Sequence, residues 1–399
     1  MESIKDKVAI VGMGCTKFGE RFDVGGFDLI IESASEALED AGIELKDIQA
    51  AWLGSSGFST GQPLSHALKL NYIPVARVEN ACGTGLEAIR GAAYALMAKA
   101  YDIVLALGVE KLKDRGRGGG GAEGETGKGP QPSYGIQATA PGRYALAATK
   151  HFATYGTERK HLAMISVKSH HNGARNPRAM FRREITVEQA LNAPMIAWPL
   201  GLFDCCGVAD GSAAAIMCRT EDVKKFGFRD DFITVKALAN SCGQGTGKNR
   251  EDYDFLHWEE TYRASQQIYQ QAGIKDPRKE IDIVECHDCF SIAELMCYED
   301  MGFCQKGTAK DDIEAGSFTQ EGYERGGVAF NIGGGLKSFG HPIGASGCRE
   351  TYEIYKEIQG KAQEPSRQLK NVELGMAHSQ GGHPGNFVCN MALYGIPGK

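Results

Sequence analysis

The feature that most constrains this chain is a series of short apolar runs, each ended by glycine, alternating with stretches of helical spacing. Val8-Ala9-Ile10-Val11-Gly12 is the first run, and Ala50-Ala51-Trp52-Leu53-Gly54 and the stretch from Asp102 to Gly108 (DIVLALG) repeat it. Between them Ile30, Ala34, Ala37, Leu38 and Ala41 recur at helix spacing, with Gly42 as the stop, and Leu86, Ile89, Ala93, Leu96, Met97 and Ala100 trace a second helical face. Strands that are apolar throughout must be buried on both faces, so this order predicts an α/β fold with a parallel sheet under helices.

The second half repeats the theme. A strand at Phe232-Ile233-Thr234-Val235 precedes a helix from Trp258 to Ala272, and the strand Ile281 to Cys286 feeds the turn His287-Asp288-Cys289. Helices are expected from Ser291 to Met301 and from Ser346 to Gln359, and strands from Val372 to Ala377 and from Phe387 to Leu393. Each half delivers a cysteine from a strand end onto a helix start, which suggests an internal duplication. An excursion over 113–197 separates the halves, and core character resumes at Asp204 to Met217 (DCCGVADGSAAAIM). The chain thus divides into a first half over 1–112 and 198–225, a loop domain over 113–197 and a second half over 226–399. The excursion opens on Arg115-Gly116-Arg117-Gly118-Gly119-Gly120-Gly121, read as a mobile loop or lid because glycine runs resist ordering.

A chain of 399 residues, 42% hydrophobic and 24% charged, has room for a large core. Its net charge of -6 argues against a dedicated nucleic-acid binder. Twelve cysteines without regular spacing point to reduced thiols in a cytoplasmic protein rather than a disulfide framework. The apolar run at Val8 to Met13 is too short for a secretory segment, and Gly91 to Val109 carries Lys99 and Asp102, so no membrane span is expected. Gly124-Glu125-Thr126-Gly127-Lys128-Gly129 only imitates a phosphate loop, since Pro130 follows and no strand leads in.

Three motifs carry chemistry. Cys82, at a strand-to-helix turn with Gly83 and Gly85 after it, would gain thiolate character from the helix N-terminus, unless it is simply a small buried cysteine. His341, held between Gly340 and Pro342, could take a proton from Cys82, or be a surface-loop histidine. Cys286-His287-Asp288-Cys289 lacks a second pair for zinc and has a charged interior unlike a redox pair. It leaves His287 as an oxyanion donor and Cys289 as a proton carrier for a carbanion, or a packed strand end. His378, in the glycine-rich stretch from Gly375 to His383, is supporting, and the N–H groups of Gly381 or Gly382 could join that of Cys82 around a thioester oxygen.

The Cys82 turn, His287-Asp288-Cys289-Phe290, Asn331-Ile332-Gly333-Gly334-Gly335 and Gly340-His341-Pro342-Ile343-Gly344-Ala345-Ser346-Gly347 together resemble a thiolase. More narrowly they resemble the sterol-carrier-protein type, over essentially the whole chain and in the family's order. The resemblance implies the thiolase fold, two similar five-stranded mixed-sheet α/β halves with an inserted loop domain, as a homodimer. It implies Cys82 as the acylated nucleophile, His341 as its activator, His287 completing the oxyanion hole and Cys289 as acid/base. The late Cys-X-Gly element of other thiolases is missing, since the chain reads His378-Ser379-Gln380-Gly381 there.

No bound cofactor or metal is implied; coenzyme A is a co-substrate. The implied reaction is CoA-dependent cleavage of a 3-oxoacyl-CoA, with a bulky or aromatic substrate such as 2-benzoylsuccinyl-CoA in view. Acetoacetyl-CoA chemistry in the Claisen direction and a thiolase-fold aldolase or acyl-CoA lyase are the alternatives. Arg175, Arg178, Arg182 and Arg183 are candidates for the CoA phosphates, or a solvated basic face. No sterol-carrier domain is expected after Lys399, and relatives of this shape imply a small partner subunit with a zinc ribbon and an OB-fold barrel.

Overall fold

The computed structural model describes residues 3–115, 139–245, 253–362 and 366–399. The glycine-rich stretch that follows Arg115 and the phosphate-loop imitation at 124–129 lie outside the described residues.

The strands are β1 (Val8–Cys15), β2 (Ala50–Gly54), β3 (Val75–Val78), β4 (Ile103–Glu110), β5 (Met195–Ala197), β6 (Leu200–Gly201), β7 (Gly211–Arg219), β8 (Ile233–Cys242), β9 (Ile283–Cys286), β10 (Ala329–Phe330), β11 (Leu374–His383) and β12 (Asn386–Gly395). Strands β5 and β6 form a small hairpin; the other ten form one mixed sheet in the order β10-β9-β11-β12-β8-β1-β7-β4-β2-β3. Taken from the central β1–β8 seam outward, each half places its first, fifth, fourth, second and third strand in turn. The halves therefore share one topology, and the duplication inferred from pattern is a property of the backbone.

The apolar runs are buried on both faces. Along β1, Val8 and Ile10 join one core while Ala9 and Val11 join another. On β4, Val104 and Ala106 alternate in the same way with Ile103, Leu105 and Leu107. Helix α1 (Gly26–Ala41) covers the outer face of the first half, with Gly42 as its left-handed C-cap at φ 72°. Each of the valine, leucine and isoleucine side chains withdrawn from water here contributes about 1.5–3 kcal/mol, and the alanines less.

Two helices lie against each other on the inner face, α2 (Thr84–Met97) and the long helix near the C-terminus (Ser346–Ile358). Their second residues, Gly85 and Gly347, meet: a Cβ on Gly85 would stand 3.0 Å from the Gly347 Cα, and one on Gly347 would stand 2.5 Å from the Leu86 nitrogen. Only glycine lets these two helix starts touch, and the functional turns precede them.

The described part of the excursion between the halves contains α3 (Ala140–Tyr155), α4 (Arg159–Arg175) and strand β5, which pairs with β6 just beyond it. Helix α4 escapes a reading by hydrophobic period because Ser166, Lys168, Ser169, His170 and Asn172 are among its buried residues. The second half is covered by α5 (Glu259–Ala272) and α6 (Ser291–Asp300), and the Ser346–Ile358 helix is α7. The stretch holding Gly381 and Gly382, expected as a strand-end loop, is strand: β11 pairs with β12 out to His383 opposite Asn386.

Candidate active site

Cys82 sits in the turn between β3 and α2. Ala81 before it has φ 47°, a left-handed value for a residue with a side chain. Thr84 ties the turn off: its Oγ accepts from the Asn80 nitrogen at 2.9 Å and donates to the Ala81 carbonyl. Asn390 on β12 donates to the Gly83 carbonyl at 3.1 Å. On the other side lies Gly381, where a Cβ would stand 2.4 Å from the Asn80 oxygen and 2.9 Å from the Cys82 nitrogen. The Gly381 backbone therefore borders the Cys82 turn, whereas Gly382, at φ 108° beside Asn386, belongs to the hairpin end.

His341 precedes α7 as Cys82 precedes α2. Its Nδ1 lies 2.7 Å from the Ser346 hydroxyl, which itself donates to the Pro342 carbonyl. The Ser346 oxygen therefore accepts from Nδ1–H, which leaves the Nε2 lone pair as the free acceptor. That Nε2 is buried without a hydrogen-bond partner, as is His287 Nδ1. The His287 and His341 rings stand 5.2 Å apart at 75°. One ligand atom each from Cys82, His287 and His341 lies within 4.8 Å of the others.

Cys289 is buried beside this cluster. Burial above all pushes its thiol well above the usual cysteine range, the nearby Cys206 and Cys82 add to the rise, and the Tyr144 hydroxyl works the other way. The Cys206 nitrogen donates to the Cys289 carbonyl at 2.8 Å, and the next carbonyl, Gly207, accepts from the His341 nitrogen at 2.7 Å. Sequence alone assigns no role to Tyr144, Cys206 or Ser346. Ser346 is visible in the glycine motif and Cys206 in the Cys205-Cys206 pair; nothing local marks Tyr144.

Electrostatics set the resting protonation. Burial pushes the Cys82 thiol up to about 12, against the expectation that the helix N-terminus alone would lower it, and Cys206, Glu79, Glu110 and Glu350 add to the rise. Burial and the Arg349 charge hold His341 down at about 3, and burial first, then neighbouring cations, keeps His287 well below the usual histidine range. The resting site is thus a neutral thiol facing two neutral imidazoles.

Behind it the tetrad is fastened by buried charge. Lys337 Nζ bonds the Asp288 carboxylate at 2.7 Å and reaches Glu294 at 3.4 Å, and Glu294 in turn pairs with Lys168. Asn331, at φ 54°, accepts from the Cys286 nitrogen at 2.8 Å through its side chain. His378 is fully buried and accepts the His287 backbone N–H at 3.3 Å, a contact with the loop rather than with the cluster of reactive atoms.

The arginines are placed differently from expectation. Arg178 is paired with Glu36 at 2.8 Å and lies over the Tyr352 ring, so its charge is engaged inside the fold. Arg175 meets His171, while Arg182 and Arg183 are exposed. A cavity of about 1040 Å³ is lined by Cys206, Gly207, Phe290, Met180 and Phe181, and its cations are Lys17, Arg21 and Lys113. None of the four expected arginines lines it.

Family descriptions match in chain order: "Thiolase, N-terminal domain" over residues 8–221 and "Thiolase C-terminal domain-like" over 244–388. The chain belongs to the thiolase family. It is an acyltransferase of that family. It is 37% identical to an acetyl-CoA acetyltransferase of Methanothermobacter thermautotrophicus, over 96% of this chain and 98% of that relative. It is 33% identical to the benzoylsuccinyl-CoA thiolase subunit BbsB of Thauera aromatica, over 95% and 96%. Among solved structures, an Ltp2–ChsH2(DUF35) aldolase shares the fold with a TM-score of 0.83 at 21% identity, covering 99% of each chain. All twelve cysteines are unpaired, and among the described residues no helix is long and apolar enough to cross a membrane.

Proposed function

We propose that this chain is a thiolase that cleaves a 3-oxoacyl-CoA with CoA through an acyl group carried on Cys82. The supporting observation is the approach of the Cys82 sulfur to two neutral imidazoles whose buried nitrogens have no other partner. The Cys82 sulfur attacks the 3-keto carbon while its proton passes to His341 Nε2. With that proton, His341 joins His287 in donating to the developing oxyanion, the interaction that such sites rely on most. The C2–C3 bond then breaks, its electron pair staying on C2 as the thioester enolate. Cys289 protonates C2, and its thiolate, screened by the Tyr144 hydroxyl, next takes the proton of incoming CoA. That CoA sulfur attacks the acyl–Cys82 thioester, whose oxygen would lie toward the Cys82 and Gly381 backbone; the acyl–Cys82 C–S bond then breaks, and the departing Cys82 thiolate takes back the proton held on His341 Nε2.

The likeness to the Thauera aromatica subunit supports a bulky, aromatic acyl group; the cavity of about 1040 Å³, with Phe290, Phe181 and Met180 in its wall, adjoins the site through Phe290 and Gly207 but is not lined by Cys82, His287, Cys289 or His341. Acetoacetyl-CoA used in the synthetic direction is the second reading, favoured by the higher identity to the archaeal acetyl-CoA acetyltransferase. For an anionic CoA headgroup the exposed Arg182 and Arg183 stay candidates, and Lys17 joins them from the cavity wall, where Arg21 and Lys113 are already paired with Asp23, Glu32 and Glu20. A small zinc-ribbon and OB-fold partner is proposed from the DUF35 protein named with the structural neighbour. Homodimerisation and a cytoplasmic setting complete the proposal.

Acid-quenched protein incubated with a 3-oxoacyl-CoA and digested for mass spectrometry should carry one acyl group on the Cys82 peptide. CoA-dependent turnover with no such adduct, or a fully active Cys82→Ser variant, defeats the proposal.

A further inference from the structure

The geometry points to a second capacity of the same residues: Cys82, His287 and His341 form a binding site for Zn2+, occupation of which shuts the enzyme down. One sulfur and two imidazole nitrogens within 4.8 Å of each other make the donor set of a three-ligand zinc site with an open fourth position. At ordinary Zn–N and Zn–S bond lengths, ligand atoms in such a site stand roughly 3.3–3.7 Å apart, so closure needs shifts of about 1 Å. Rotation of one histidine ring and of the Cys82 side chain supplies that.

An independent observation supports it. His341 Nε2, the nitrogen that Ser346 leaves free, is buried with no hydrogen-bond partner, and so is His287 Nδ1; a buried imidazole nitrogen left unpartnered costs free energy that a ligand would recover. His341 is also prepared as a ligand by its other nitrogen, because the Ser346 oxygen fixes the tautomer that exposes Nε2, as an outer partner does in zinc proteins. Cys82 is half-buried, and its turn is open to solvent on one side.

The binding step involves no redox change. Zn2+ takes the lone pairs of two imidazoles, the Cys82 S–H bond breaks, a Zn–S bond forms, and one proton leaves to the buffer. Inhibition rests on the proposed role of Cys82: the metal holds both the sulfur electrons and the nitrogen that would receive the proton. Binding itself does not depend on that role.

Co2+ is the probe, added to the full-length protein under a non-chelating reductant. One ion per chain should give the visible bands of a tetrahedral site and a near-ultraviolet sulfur-to-metal band, displaced by Zn2+ with one proton released. Cys82→Ser should abolish the sulfur band. Ser346→Ala should weaken binding by about 10–100-fold, the usual loss for an outer partner, and His287→Ala by more. Cys242→Ser, removing an exposed thiol, should change nothing. In the unmodified protein, bound Zn2+ should protect Cys82 from iodoacetamide and a chelator should remove the protection, an arm that needs no variant to fold. A sulfur band that survives in Cys82→Ser, or alkylation of Cys82 indifferent to Zn2+, overturns the inference. A protein that shows the band but never acylates Cys82 keeps the metal site and loses the thiolase mechanism.

Discussion

Replacing Lys337 by methionine tests whether buried charge holds the His287–Cys289 turn in place. Lys337 has no solvent exposure; its ammonium bonds Asp288 at 2.7 Å and reaches Glu294 at 3.4 Å, and neither carboxylate touches water. Lys168 is the other cation of this group. Two cations balance two carboxylates, so Lys337→Met would leave one buried negative charge uncompensated. Loss of one partner of a buried pair typically costs about 3–5 kcal/mol, a large share of the roughly 5–15 kcal/mol that holds a folded chain together.

Asp288 also accepts the Leu336 nitrogen, so it cannot swing out to water without breaking a backbone bond. The loss should therefore appear both as a lower urea midpoint, followed by tryptophan fluorescence, and as a lower kcat with less change in KM. Adding Asp288→Asn removes the stranded charge, and the double variant should recover at least about 1 kcal/mol, within the range of coupling between contacting residues. Proton linkage gives a second check. Although burial works against its charge, Lys168 and Lys337 hold Glu294 down at about 2, so its stabilisation is complete above the unfolded value near 4.5 and is lost as pH falls toward 2. Lys337→Met should flatten that acid-side loss. A Lys337→Met protein within about 0.5 kcal/mol of the parent, or strictly additive single changes, would refute the charge-balance argument.

Three further outcomes follow from the geometry. His341→Ala should lower kcat by about 10²–10⁴-fold, the usual contribution of a positioned base, while Ser346→Ala, which frees the ring without removing it, should lose less; equal losses would disprove the tautomer argument. Gly381→Ala drives a methyl group to 2.4 Å from the Asn80 oxygen and should cut acylation of Cys82, measured by single-turnover quench, by about 10²-fold, the order that an ångström of misplacement costs. Burial raises the Glu350 carboxyl to about 8, Arg349 and the Ser379 hydroxyl offsetting part of the rise. The folded chain therefore binds the extra proton and stability declines as pH climbs from about 4.5 to 8. Glu350→Gln should match the parent in urea near pH 5 and exceed it near pH 9; a constant gap would exclude that titration.

Much of this fold was legible because its strands are apolar on both faces and its helices end at glycines such as Gly42 and Gly273, both left-handed C-caps. The strands at Val75–Val78 and Ala329–Phe330 were not, since one is a half-exposed edge and the other is two residues long. Helix α4 was lost because Lys168, His170 and Asn172 are buried through partners from distant sequence rather than by apolarity. The order of Cys82, His287, Cys289 and His341 was readable, but their mutual approach depends on strand order, which no local pattern encodes. The surroundings of Arg178 were hidden for a related reason: it finds Glu36, 142 positions away in sequence, and that pairing is invisible until the chain is folded.

The shared topology also changes how the site is understood. Cys82 follows the third strand of the first half and precedes α2; His341 follows the third strand of the second half and precedes α7. The counterpart of Cys82 is therefore His341, not Cys289, which follows a second strand. Because Gly85 and Gly347 let the two helix starts touch, Cys82 and His341 are brought together by the same crossing that joins the halves. Each helix start carries the positive end of a dipole worth about half an elementary charge, and here two such ends face one pocket. That field opposes an imidazolium and favours negative charge, so it acts with burial on His341 and against burial on Cys82. In the resting state burial wins and the thiol keeps its proton. In the proposed reaction, charge that moves to the substrate oxygen as sulfur attacks would meet paired dipoles that need no rearrangement. A site at such a crossing stays neutral at rest and stabilises an anion only while one is forming.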